Sequence, residues 1–479
     1  MKQRSVQYNF IMNFILTSSS ILFPLITFPY VSRILLVDGT GSVAFATSVV
    51  SYFTMIAMLG VPTYGVRAVA QVRQDPVKLK TTVCELLTIN VIMGAAAYAS
   101  FFLALFLVPD LAAQKTLMLI CSSAILLNVI GVSWFYQGME QYTYITWVSI
   151  SFKILSVITM FLFIHSPADY LWYGVMTVVS SFGSGVVNFA MLFKALKGVK
   201  REKLDLKRHF KPISTFFAMT VATTIYTNLD TVMLGFMKGS YEVGLYNAAI
   251  KVKGLLVSLV TSLGTVLLPR LSFYIETGQE SEFGRLISKA FSFVLLFAVP
   301  VCLFGAVYSG QIIQILSGQD FLPAQPAMIL LMPTIVLIGL SNVSGIQVLV
   351  PLGQEKQVLY SVSAGAVLDL LLNSILIPVY GAAGAAFGTL AAEILVLIWQ
   401  IVSLRGRIGQ LSAGIEWKQL LVCMAFSVPV LLLCSLYSLK SPLFTLAVGG
   451  VLFFAAYGIG LIVSKEEIAA GFLGRFIHR

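Results

Sequence analysis

Charge is what this sequence has least of. Asp, Glu, Lys and Arg supply 11% of its 479 residues, less than half the roughly 25% of a soluble domain. So little polar surface cannot keep a chain of this length in water. Histidine is scarcer still: His165, His209 and His478 are scattered over two loops and the tail, and no metal site is expected. The cysteines (Cys84, Cys121, Cys302, Cys423, Cys434) are odd in number, lack CxxC spacing and fall in or beside apolar runs. They read as buried, inert thiols. The chain also lacks a Gly-rich phosphate loop, a GxSxG elbow and an HExxH pair. Enzyme chemistry has no residues to rest on, and no cofactor is expected.

What is present is hydrophobic: 58% of the residues, with a mean hydropathy of +0.92. Apolar runs of 18 or more residues recur from Phe10 to Val463, each long enough to cross a hydrocarbon core of about 30 Å. Backbone amides in lipid must bond internally, so the runs are helices. Alternating short segments, the mark of a membrane β-barrel, are missing. The run from Phe10 to Leu36 is too long for a signal-peptide core and no small-x-small cleavage site follows it, so it reads as the first span.

The expected fold is therefore all-α integral membrane, with about fourteen spans. They fall near 10–34, 42–65, 82–108, 113–136, 143–164, 170–193, 213–236, 243–268, 286–307, 325–350, 357–378, 382–404, 419–438 and 442–463. Basic residues gather in cytoplasmic loops. With a cytoplasmic N-terminus, 24 of the 31 Lys and Arg fall inside and only Arg33, Lys115, Lys238 and Lys440 outside. One miscounted helix would reverse every later loop, so both ends are expected in the cytoplasm. The net charge of +11 then suits an anionic inner leaflet and needs no nucleic acid.

The longest polar stretch, Lys194 to Pro212, separates six spans from six, with two left over. The expected organisation is an N-terminal six-helix bundle (1–193), a basic cytoplasmic linker (194–212), a second six-helix bundle (213–404), and two additional helices with a cytoplasmic tail (405–479). Repeated halves are common in transporters. A faint echo supports duplication: Gly41-Ser-Val-Ala-Phe-Ala46 opens helix two, and Gly244-Leu-Tyr-Asn-Ala-Ala249 opens helix eight. Pro24 and Pro29 in the first span, Pro300, Pro333 and Pro429 in later ones, are candidate kinks.

Ionisable groups inside spans are costly and normally face a cavity or a partner. Asp230 in helix seven and Lys251 in helix eight fall at one depth on adjacent antiparallel helices, about 10–12 Å below the outer face. They form either a structural ion pair or a cavity group that binds an anion. Lys253 lies about 200° around the helix from Lys251 and cannot share a narrow cavity with it. Lys153, near the middle of helix five, is expected to face a cavity. Asp369 and Glu393 lie deep in helices eleven and twelve, as proton sites, coupling-cation sites or partners of a distant lysine. Arg33 and Arg67 are interfacial anchors or ligand contacts. Cations suit pyrophosphate. Trp134, Tyr136, Gln137, Tyr226, Asn228 and Asn247 suit sugars, although such residues are also common at membrane interfaces.

Several segments resemble a known family. They are Phe28-Pro-Tyr-Val-Ser-Arg-Ile-Leu35 with Gly39-Thr-Gly41, Gly60-Val-Pro-Thr-Tyr-Gly-Val-Arg67, Trp134-Phe-Tyr-Gln-Gly-Met-Glu140, Asn228-Leu-Asp-Thr-Val-Met-Leu-Gly235 and Gly244-Leu-Tyr-Asn-Ala-Ala-Ile-Lys251. In order and spacing they resemble the Wzx-type polysaccharide flippases of the multidrug/oligosaccharidyl-lipid/polysaccharide exporter superfamily, from about Val6 to Leu404. The last two helices match in hydropathy only. The resemblance implies two bundles around a cation-lined central cavity that opens alternately to each side. It implies a cargo of undecaprenyl-pyrophosphate-linked oligosaccharide, flipped to the outer leaflet of a bacterial cytoplasmic membrane for capsule, O-antigen or exopolysaccharide. A polysaccharide polymerase and chain-length proteins would be its partners, besides membrane lipids. Arg33, Arg67, Asp230 and Lys251 occupy matching motif positions; with Lys153 the cations would hold the pyrophosphate, and Asn228, Asn247 and Gln137 would meet sugars. Ser42-Val-Ala-Phe-Ala46 departs from the pattern, which has a tyrosine or second glycine directly after Gly41.

Alternatives within the fold are a lipid II flippase, which would carry more arginines in helices one, two and eight, and a multidrug or cation antiporter, which would have twelve helices and fewer cations. A membrane polymerase would need a large outer loop or a DxD-type site. A non-transporting scaffold of a polysaccharide assembly complex would not need Asp230, Asp369 and Glu393 inside the membrane.

Overall fold

The computed structural model describes residues 6–406, 414, 416–437 and 441–464. Lys2, Arg4, Arg407, Lys440 and the basic residues from Lys465 onward, which enter the charge count, lie outside the described residues, as does His478. The described residues form helices and no strand, the arrangement that satisfies backbone amides within each segment. Two compact units account for the packing: residues up to Gly244, and from Leu245 onward.

Unit 1 contains α1 (Val6–Met58), α2 (Val61–Val72), α3 (Pro76–Leu107), α4 (Pro109–Ala113), α5 (Lys115–Val129), α6 (Ser133–Gly138), α7 (Tyr142–Phe163), α8 (Tyr170–Phe182), α9 (Ser184–Ala195) and α10 (Lys207–Lys238). α11 (Ser240–Glu276) begins in unit 1 and continues into unit 2. Unit 2 adds α12 (Glu280–Val307), α13 (Ser309–Leu316), α14 (Gln325–Asn342), α15 (Glu355–Ser403), α16 (Trp417–Leu436) and α17 (Pro442–Val463).

Eleven described stretches are long and apolar enough to cross a membrane, and α10 is not among them. Fourteen passes would need α1 and α15 to cross twice each and α10 to cross despite its lower hydropathy. α1 and α15 do break. α1 leaves helical geometry at Leu36 (φ 58°), which falls next to the loop expected at Gly39-Thr-Gly41, and α15 leaves it at Gly381 (φ 54°). A left-handed φ is costly for leucine, so the surrounding packing must hold Leu36 there. The expected kinks at Pro24 and Pro29 leave the backbone helical; the break lies downstream.

Helix starts follow local chemistry. Asp75 caps α3, its Oδ1 accepting from the N–H of Val77 (3.0 Å) and Lys78 (3.1 Å), with Pro76 at the first helical position. The Lys78 N–H foremost holds the exposed Asp75 carboxyl below the usual carboxylate range. Span two was expected to run to residue 65. It ends at Met58, and Gly60 (φ 78°) turns the chain into the separate helix α2. There Trp134 and Tyr136 are buried, and a Cβ on Gly65 would come within 2.7 Å of the Trp134 ring.

The linker is pinned to α3. Lys80 Nζ donates to the Val199 carbonyl (2.5 Å), the Glu202 N–H to Thr81 Oγ1 (3.0 Å), and the Asp205 N–H to Glu85 Oε1 (2.7 Å). Glu85 is fully buried and also accepts from Arg208 Nε (3.1 Å), Arg208 Nη2 and His209 Nε2 (2.9 Å). His209 Nδ1 in turn lies 2.8 Å from the Tyr64 hydroxyl. α10 then packs along unit 1. A Cβ on Gly60 would sit 2.7 Å from the Phe217 nitrogen, and one on Gly235 would sit 2.0 Å from the Phe45 ring. The two glycines of the sequence echo meet here, a Gly41 Cβ falling 2.7 Å from the Gly244 nitrogen. This packing places α10 with the first unit, whereas the linker suggested a boundary before it.

In unit 2, α16 and α17 pack together and against α12 and α13. Gly449 is closed on by the Tyr308 hydroxyl and Gly460 by the Cys423 backbone, while the Tyr457 hydroxyl donates to the Leu296 carbonyl (2.7 Å). Residues Val343–Leu349, which follow α14, form a π-helix.

Candidate functional site

Hydroxyl and amide side chains recur at helical spacing in unit 1: Thr47, Ser51 and Thr54 on α1, Thr177 and Ser181 on α8, Thr220, Thr224 and Asn228 on α10. With Val50, Met55, Met58 and Pro62, Cys121 and Ala124 of α5, and Val178 and Phe182 of α8 they line a mostly apolar cavity of about 410 Å³, the size of a small-molecule site. Their protons are largely spent within their own helices. Thr47 donates to the Val43 carbonyl (2.8 Å), Ser51 to Ser48 (2.7 Å), Thr54 to Val50 (3.0 Å), Thr177 to Tyr173 (2.8 Å) and Thr220 to Phe216 (3.0 Å). Asn228 Nδ2 donates to the Thr224 carbonyl (3.1 Å) and Thr227 Oγ1 (3.0 Å). The oxygens keep lone pairs for an incoming donor. No charged residue lines this cavity. An uncharged, mostly apolar wall does not suit pyrophosphate.

The expected residues divide between the units. Arg33 is exposed near the break in α1, its Nη1 donating to the Pro29 carbonyl (2.6 Å). Arg67 is exposed on α2, beyond the end of span two. Lys153 does not face an open cavity: only 7% exposed, its Nζ donates to Ser19 Oγ and Ser20 Oγ of α1, both at 2.8 Å. Asp230 is buried in unit 1, within electrostatic reach of Tyr52. Lys251 belongs to unit 2 and is exposed well inside α11.

Asn228 lines the hydroxyl cavity. Gln137 is half-buried on α6 and Asn247 half-buried on α11. Trp134 and Tyr136, expected near sugars, are core residues instead. Tyr136 donates to the Asn188 carbonyl (2.8 Å), and Trp134 fills the space that Gly65 leaves.

In unit 2, Asp369 and Glu393 are buried on either side of the α15 break. Asp369 and Asn373, one turn apart, both face Gly388, where a Cβ would meet Asn373 Oδ1 at 2.4 Å and Asp369 Oδ1 at 2.7 Å. Next to it Thr389 meets the Tyr246 hydroxyl (2.9 Å). The break at Gly381 brings these groups of one long helix together. Sequence reasoning missed the hydroxyl wall and the Glu85 cluster. The i, i+4 repeat of Ser and Thr was the available signal for the first; Glu85 inside a span was the signal for the second.

Eleven described stretches long and apolar enough to cross a membrane define a polytopic membrane protein. Solved structures share the fold. A lipid II flippase MurJ in an inward closed conformation aligns over 94% of this chain and 100% of its own, with a TM-score of 0.67 and 18% identity. An inward-facing multidrug resistance MATE family transporter of the MOP superfamily aligns over 81% and 95%, with a TM-score of 0.60 and 12% identity. The profile of the family described as "Polysaccharide biosynthesis protein" matches residues 6–274, and the MatE profile matches 216–375. The chain belongs to the polysaccharide biosynthesis protein family. A relative described as "Putative O-antigen transporter" in Escherichia coli (strain K12) is 23% identical over 403 residues, 84% of this chain and 97% of its own length. One described as "Probable flippase AglR" in Haloferax volcanii is 28% identical over 167 residues, 34% of this chain and 35% of its own.

Proposed function

We propose that the protein is a flippase that moves polyprenyl-pyrophosphate-linked oligosaccharides from the inner to the outer leaflet of a bacterial cytoplasmic membrane. Polysaccharide polymerase and chain-length proteins would act on what it delivers. The observation that carries this reading is the match of residues 6–274 to the polysaccharide biosynthesis protein profile, in a chain whose relatives are described as a putative O-antigen transporter and a probable flippase. The hydroxyl and amide groups in the otherwise apolar wall of the unit 1 cavity offer acceptors to sugar hydroxyls. Exposed Thr215, Thr223 and Thr227 continue the hydroxyl pattern along α10, a helix too polar for a lipid-facing span and suited to a wet path. The pyrophosphate needs cations, and Arg33, Lys153 and Lys251 are the candidates within or at the ends of spans. Asp369 or Glu393 would couple transport to a proton or cation gradient. The test is a bacterial strain whose own O-antigen flippase is deleted. Expression of this chain should reduce the lipid-linked oligosaccharide that accumulates and restore some surface polysaccharide. Unchanged accumulation, with the protein in the membrane and several repeat-unit structures tried, would refute the reading.

A further inference from the structure

The segment between α9 and α10 is the most strongly charged surface of unit 1, and transport of cargo leaves it without a role. Between Lys194 and Lys211, Lys and Arg outnumber Asp and Glu by eight to two. Arg208 is committed to Glu85, and Asp205 Oδ1 accepts from the Lys207 N–H (3.1 Å) at the start of α10. Lys197, Lys200, Arg201, Lys203, Lys207 and Lys211 are exposed. A loose loop of this composition would be an ordinary solvated face. Two features set this one apart. The first is where it is held. Lys80, Thr81 and Glu85, which anchor Val199, Glu202 and Asp205, lie within the first three turns of α3. Residues 86–107 of α3 carry no charge and span about 33 Å, enough for a hydrocarbon core of about 30 Å. The turns before them, and the linker fixed to those turns, therefore stand at headgroup level. The second feature is apolar. Leu204 and Phe210 are exposed among the cations, and Lys207, Phe210 and Lys211 share one face of α10 at i, i+3 and i+4. An aromatic ring flanked by lysine stems is built for a membrane surface and ill suited to water.

We propose that the linker is a docking surface for the headgroups of resident anionic phospholipids on the cytoplasmic side of the membrane. The proposal goes beyond the flippase reading and does not depend on it. Charge asymmetry between loops needs only the number of cations on one side; it needs no fixed backbone, no buried carboxylate holding it and no exposed ring among the lysines. Headgroup phosphates bridge neighbouring cations and relieve their mutual repulsion, while Phe210 and Leu204 enter the boundary with the acyl chains. The linker is then held from two sides, by α3 and by lipid, and the anionic content of the leaflet sets how firmly the N-terminal end of α10 is fixed. The apolar side chains commit the surface to a lipid and not to a soluble phosphate.

The test places the purified full-length protein in nanodiscs of phosphatidylcholine, alone or with about 30% phosphatidylglycerol, and follows cleavage by Glu-C protease after Glu202. Cleavage after Glu276, exposed at the end of α11, is the internal reference, so the ratio of the two rates is read. Phosphatidylglycerol should slow the Glu202 cut relative to the Glu276 cut by about tenfold or more. Lys197→Gln, Lys200→Gln, Lys207→Gln and Lys211→Gln together leave the anchors on α3 untouched and should bring the lipid effect to within about twofold. About 1 M NaCl, with a Debye length of about 3 Å, should do the same to the wild type without any substitution. Phe210→Ser should weaken the protection by about threefold. A wild type whose ratio does not respond to phosphatidylglycerol overturns the inference, as does protection that survives the four lysine changes or the salt. Inorganic pyrophosphate giving the same protection in phosphatidylcholine discs overturns the assignment to a lipid surface, and so does full protection in Phe210→Ser.

Discussion

Replacing Glu85 with Ala should release the linker and loosen the N-terminal end of α10. The Glu85 side chain is 1% exposed and accepts from the Asp205 N–H, two Arg208 nitrogens and His209 Nε2. Breaking a buried ionic network by removing one partner costs about 3–5 kcal/mol. Arg208 is 47% exposed, so water screens its share and the lower end, about 3 kcal/mol, applies. For a unit of this size that corresponds to a fall of about 6–12 °C in the melting temperature. Glu85→Gln keeps an acceptor for the Asp205 N–H and should lose about half as much. Thermal unfolding in detergent, followed by a thiol-reactive dye, reads the first effect. Limited trypsin digestion reads the second, because Lys197, Lys200, Arg201 and Lys203 lie exposed on the pinned segment and should be cut faster. A Glu85→Ala protein that melts within about 1 °C of wild type, with unchanged trypsin cleavage, would refute the claim that this carboxylate holds the linker.

Other predictions follow from single contacts. Gly65→Val drives a side chain into the Trp134 ring and should destabilise by about 1–3 kcal/mol, read as a lower melting temperature. Ser51→Leu with Thr224→Leu fills the unit 1 cavity with apolar groups; transport of lipid-linked oligosaccharide should fall by about tenfold or more while the melting temperature holds, and full transport would remove sugar from that cavity. Asp369→Asn or Glu393→Gln should flatten the pH or ion-gradient dependence of transport. Unchanged dependence in both would exclude these carboxylates from coupling.

Much of the helical layout was legible because membrane spans announce themselves by apolar length. The runs expected at 143–164 and 442–463 correspond to Tyr142–Phe163 and Pro442–Val463. The breaks were harder. Pro24 and Pro29 drew attention, yet α1 breaks at Leu36, whose left-handed φ is imposed by packing and not by its own preference. The π-helix at Val343–Leu349 left no mark in hydropathy. Charges inside spans were visible as anomalies, but their surroundings were not. Lys153 faces two serines 133 and 134 residues away in sequence, a pairing that periodicity within one helix cannot reveal. The linker was legible as a basic stretch, but its attachment to α3 was not, because it runs through Lys80, Thr81 and Glu85, the last a carboxylate hidden in an apolar run. Trp134 and Tyr136 looked like interfacial sugar contacts because residue type alone does not distinguish an interface from a core.

The central claim is translocation, and reconstitution into liposomes tests it most directly. A polyprenyl-pyrophosphate oligosaccharide bearing a dithionite-sensitive fluorophore is placed in the inner leaflet, and its arrival outside is followed with wild type, Lys251→Ala and protein-free vesicles. The account predicts protein-dependent quenching with wild type, slowed by the Lys251 change. No movement beyond protein-free vesicles, with several sugar compositions tried and the protein shown to be folded, would contradict it.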